Sequence, residues 1–186
     1  MNVSESVPPG SVRVWSPYVR LFHWALVASV AAAWLLAGEA KQLHELAGYA
    51  AGVLIVSRLI AGIAGSGYTR FVQFVRGPRT VSGYLRDIVV HREQRHIGHN
   101  PAGAAMVLAL LACVGGAALT GWMQTTDAFW GIAWVETTHQ VLGNGILVLV
   151  AVHVAGVVLA SVRHGENLVR AMLSGRKRAP APGDVA

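Results

Sequence analysis

Four histidines carry most of the chemistry this 186-residue chain can offer: His23, His44, His139 and His153. Each lies in, or at the start of, a strongly apolar stretch, where an ionisable ring is expensive and signals a task. The single cysteine, Cys113, excludes a covalently attached CxxCH haem, an iron–sulfur cluster and a thiolate zinc site. Metal chemistry must therefore rest on imidazole. His139 and His153 are 14 residues apart. On a helix that spacing returns to within about 40° of the starting direction and separates the rings by about 21 Å along the axis. Two ligands on one face, one near each side of a bilayer, suit two stacked planar cofactors.

The elements that position them follow from composition. Hydrophobic residues make up 54% of the chain and charged residues 13%, about half the charged share of a soluble domain. So little charge cannot cover a water-facing surface. Four stretches approach the roughly 20 apolar residues a membrane helix needs: residues 21–37, 44–63, 102–122 and 139–162. Asn100 and Pro101, a good N-cap and a favoured first helical residue, mark the third start. The expected fold class is all-α, an integral membrane four-helix bundle. Its domain spans residues 13–178, between an N-terminal tail (1–12) and a disordered Pro-, Ala- and Gly-rich tail (179–186). Between spans two and three, Val81, Tyr84, Leu85, Ile88 and Val89 recur at helical spacing among arginines, which predicts an interfacial helix over about 79–92.

Basic residues set the orientation. Arg13 and Arg20 precede span one, Arg70 to Arg95 supply six arginines between spans two and three, and Arg163 to Arg178 follow span four. The two remaining connections hold only Lys41. Lys and Arg are retained on the cytoplasmic side, so both termini are expected there, with short loops outside. The net charge of +6 then serves topology and contact with anionic lipid rather than nucleic acid. A cleaved leader ending near Gly38 would remove His23 and put the basic segments on opposite sides of the membrane, so 21–37 is taken as a span.

Span direction pairs the histidines by depth: His23 with His153 on the inner side, His44 with His139 on the outer side. Each pair can supply both axial ligands of one haem iron. Gly48 and Gly52 follow His44 on its own face, and Gly143 and Gly156 follow His139 and His153. They would let a flat ring approach the backbone, although small residues also serve plain helix packing. That plain role is assigned to Gly115, Gly116 and Gly121. Arg58 and Arg20 either snorkel to the interface or pair with an inner-haem propionate. His91, His96 and His99 read as solvated loop residues, His99 being the one that could lie near the inner haem. His164 reads as interfacial. A haem with histidine on both faces has no open iron position and passes electrons rather than making bonds. Two of them form an electron path across the bilayer, with quinone as the membrane carrier to exchange with. A proton transporter or scaffold built on the same histidines would not require pairing by depth.

Several segments together resemble a known family. They are Val14-Trp15-Ser16-Pro17 leading into Arg20-Leu21-Phe22-His23-Trp24, His44-Glu45-Leu46-Ala47-Gly48-Tyr49, and Gly98-His99-Asn100-Pro101-Ala102-Gly103. His139, His153 and the stretch from Glu166 to Lys177 complete the set. The chain resembles the bacterial cytochrome b561 and Ni,Fe-hydrogenase-type cytochrome b group, four-helix dihaem proteins of the inner membrane, over about residues 14–178. The resemblance implies haem b ligated by one histidine in span one, one in span two and two in span four. His23, His44, His139 and His153 match those positions. It also implies traffic between the quinone pool and a periplasmic redox partner, such as a c-type cytochrome or a dehydrogenase or hydrogenase module. The brief outer loops favour the compact b561-like form over a dedicated anchor subunit of a hydrogenase or dehydrogenase.

Overall fold

Ser16 and Pro17 start the first long helix for reasons local to themselves. The Ser16 hydroxyl accepts from the Val19 amide at 3.3 Å, and the fixed φ of Pro17 suits the first helical position. The computed structural model describes residues 10–185; residues 1–9, most of the expected N-terminal tail, and Ala186 lie outside the described residues. Helix α1 (Pro17–Leu36) is followed by α2 (Lys41–Ala64), two short pieces α3 (Phe71–Phe74) and α4 (Pro78–Val89), then α5 (Pro101–Met123), α6 (Ala133–Arg163) and α7 (Leu168–Ser174). Helices α1, α2, α5 and α6 are long and apolar enough to cross a membrane, as expected. Their ends differ from the hydrophobic edges. Helix α1 begins at Pro17, where Ser16 caps it, and α6 begins at Ala133, six residues before His139 and without a side-chain cap. The start of α5 is as expected, with Asn100 Oδ1 accepting from the Gly103 amide at 2.6 Å.

The long helices form a chain of neighbours: α1 packs along α2, α2 along α5, and α5 along α6. Among the described residues, α6 is not packed along α1 or α2. That leaves a slot between α6 and the α1–α2 pair. The shared core is Phe22, Ala51, Ile55, Leu111, Val114, Ala117 and Ile146. Outward-facing apolar side chains are bare: Leu21, Ile63 and Val162 are 74–76% exposed. An apolar belt of this extent calls for lipid rather than water.

At the end of the bundle that holds both termini, strand β1 (Ser11–Arg13) pairs antiparallel with β2 (Arg176–Arg178). Gly175, at φ +78°, closes α7 in the left-handed region that glycine tolerates, and its carbonyl accepts from the amides of Val14 and Trp15 at 2.9 and 3.1 Å. Residues 179–185 of the tail expected to be disordered are tied to the body; Ala186 lies outside the described residues. The Val185 amide donates to Arg95 O at 2.8 Å, and the Ile97 amide donates to Val185 O at 2.9 Å. The cause is Arg95, only 5% exposed, which bonds both Glu166 oxygens at 2.9 and 3.3 Å and also pairs with Asp184 of the tail. A buried guanidinium needs partners, and the tail carries one. Composition could not show this. Residues Pro78–Val89 are helical, with Tyr84 as the buried residue.

Candidate functional site

The slot beside α6 is bridged twice. His44 of α2 and His139 of α6 have ring centroids 6.0 Å apart at 85°, and His23 of α1 and His153 of α6 are 6.5 Å apart at 50°. These are the two pairs expected from span direction. A metal–imidazole bond of about 2 Å on each side, plus about 1 Å from each nitrogen to its ring centre, places two rings sharing one metal about 6 Å apart. Both pairs have that spacing.

The His44–His139 pair also has its proton arrangement set by the backbone. His44 Nδ1 lies 2.7 Å from Ala33 O, and His139 Nδ1 lies 2.9 Å from Ala117 O and 3.3 Å from the Thr120 hydroxyl. A carbonyl can only accept, so each Nδ1 carries the proton and Nε2 keeps its lone pair, the tautomer a metal ligand needs. Gly121 makes room for the ring: a Cβ there would stand 3.0 Å from His139 Cε1. The sequence reading gave Gly121 to plain packing, because nothing local ties it to a histidine in another helix. A cavity of about 360 Å³ runs beside this pair, lined by both histidines, Gly48, Gly143, Ala117 and Ile146. Nothing lies within 4 Å of a Cβ placed on Gly48 or Gly143, so both leave open space beside the rings. Gly52 does not. Its Cβ would meet Ala118 Cβ at an ordinary 3.5 Å, and it lies against α5.

On the termini side, His23 Nδ1 is buried with no hydrogen-bond partner. Arg20, one turn earlier, donates from Nη1 to Leu173 O at 2.5 Å while its Nε is buried without a partner. Arg58 is buried. It is 3% exposed, donates from Nη1 to Thr69 O at 2.9 Å, and lies 4.9 Å above the Phe71 ring. His99 is a further correction, since it is not a solvated loop residue. Its ring sits between Trp15 at 4.7 Å and Phe74 at 4.4 Å, and its Nδ1 is buried without a partner. Burial first, then the charges of Arg58 and Lys177, push the His99 imidazole down to about 4. His96 is half-buried, with Nδ1 3.1 Å from Gln94 O and its ring against Tyr84. His164 is half-buried, and His91 stays exposed.

Among the described residues, no group of three or more His, Cys, Asp or Glu could hold a metal ion. Two imidazoles suffice only for a metal whose remaining positions come from a bound macrocycle. Haem is such a group, and the ring spacing, the tautomers and the glycine-lined space fit it.

Bundle and paired rings together define a membrane cytochrome of the b class. The model of the prokaryotic cytochrome b561 family matches residues 14–175, and the chain belongs to that family. The family is one of haem-b electron-transfer proteins, and with four apolar helices the chain is a multi-pass membrane protein. No curated protein and no solved structure matches it.

Proposed function

We propose that the protein carries electrons across a bacterial inner membrane on two b haems, one held by His23 and His153 and one by His44 and His139. The observation that carries this reading is the outer pair: rings 6.0 Å apart, each with Nδ1 tied to a carbonyl. Bound between such pairs, haem iron supplies reversible one-electron transfer with no open coordination position. The chain's own residues do the rest. The carbonyls of Ala33 and Ala117 hold the imidazoles in one tautomer and orientation. Gly121 lets the His139 ring approach α5, and Gly48 and Gly143 keep the slot wide. The apolar helices exclude water, which favours electron passage over side reactions.

The basic termini side is assigned to the cytoplasm by the distribution of Arg and Lys, which puts His44 and His139 toward the periplasm. Quinone in the bilayer is the natural two-electron partner. The other partner is a periplasmic redox protein such as a c-type cytochrome, because the loops at 37–40 and 124–132 are too short to house a catalytic domain. Purified protein should show reducible b-type absorption bands, and a quinol should reduce them. Protein prepared with ample haem that shows no bands would refute the reading.

A further inference from the structure

Arg20 and His99 share a feature that ligation of iron does not use. Each has a buried nitrogen, Nε of Arg20 and Nδ1 of His99, with no hydrogen-bond partner. Sealed donors of this kind are costly and are normally satisfied. Trp15 and Gly175 stand between them. Arg20 lies one turn before His23 on α1, so both side chains share a face. Gly175 packs against Arg20 and against Trp15, with a hypothetical Cβ 3.3 Å from Arg20 Nε, and the Trp15 ring covers one side of His99. The buried charge of Arg58 also acts on His99.

We propose that Arg20 and His99 anchor the propionate carboxylates of the haem held by His23 and His153. This rests on the axial assignment above. A guanidinium on the face of His23, and a buried imidazole under the charges of Arg58 and Lys177, form a site for an anionic oxygen ligand. A quinone headgroup fits less well, since it is neutral and the His99 ring is already packed against Trp15 and Phe74. Only the ring edge remains to donate one hydrogen bond. Arg20 would then act through its charge, and the neutral His99 ring through a donated hydrogen bond. Both offset the negative carboxylates and so favour the reduced haem.

The test is a redox titration of full-length protein carrying Arg20→Gln, His99→Phe or His99→Gln, alongside His23→Ala to mark which spectral component belongs to that site. Arg20→Gln and His99→Phe should each lower the midpoint potential of the component that His23→Ala removes. The other component should not move. His99→Gln keeps a side-chain N–H and should lie between wild type and His99→Phe. Should His99→Phe not assemble, Arg20→Gln and His99→Gln decide the matter. Unchanged midpoints in variants with both haem components intact would overturn the proposal. A slower reaction with a soluble quinol at unchanged midpoints would assign the cluster to quinone and overturn it as well. If His23→Ala leaves both components in place, the axial assignment itself fails, whatever the other variants do.

Discussion

At His139, three neighbours decide what the ring can do. Ala117 O orients Nδ1, the Thr120 hydroxyl adds a second contact, and Gly121 stands where a side chain would collide. His44→Ala and His139→Ala should therefore abolish the same b-type component, and His23→Ala and His153→Ala the other, as read by absorption spectra of reduced protein. Gly121→Val should lower occupancy of the His44–His139 component with little effect on the second. His99 gives a pH prediction. Its folded value of about 4 lies below the ordinary 6.5, so below pH 6.5 the unfolded chain takes up a proton that the folded chain refuses. This contribution to stability is present above pH 6.5 and lost as the pH falls toward 4. His99→Phe should flatten that part of the thermal-melting profile in detergent. The four axial candidates were legible in the sequence because depth follows from position in a span and direction from the count of spans. Gly121 and His99 were not, since their contacts come from segments distant in the chain.

The elements divide by how they announce themselves. The long helices are marked by apolar stretches that approach twenty residues, by Ser16-Pro17 and by Asn100-Pro101, all local signals. The pairing of Ser11–Arg13 with Arg176–Arg178 has none, being two three-residue strands from opposite ends of the chain. Its stability comes from a buried charge network. Arg95 pairs with Glu166 and Asp184, and Lys177 donates to His96 O at 2.9 Å and lies 3.4 Å from Glu166. Burial alone would raise the Glu166 carboxyl, but the bonds from Arg95 and the Arg178 amide outweigh it and hold Glu166 below the usual carboxylate value. Arg95→Leu should take from Glu166 and Asp184 the guanidinium they share, leave Glu166 with Lys177 and the Arg178 amide, and lower the melting temperature. Deleting residues 179–186 should do the same to a smaller extent, because Glu166 remains to pair with Arg95.

Over the whole molecule, the open edge of the bundle matters most. Helix α6 packs along α5, and its imidazoles His139 and His153 face His44 of α2 and His23 of α1. A bundle held only by helix packing would close that slot, and this one keeps it at two depths. The placement of Arg and Lys predicts that reporters fused at either terminus act in the cytoplasm, while one inserted at 124–132 acts outside. The central claim is that the two imidazole pairs hold two separate haems. Redox-titrated absorption spectra of the purified wild type, His23→Ala and His44→Ala proteins test it most directly. The account predicts two b-type components in the wild type and the loss of a different one in each variant. A wild type without haem, or two variants that lose the same component, would contradict it.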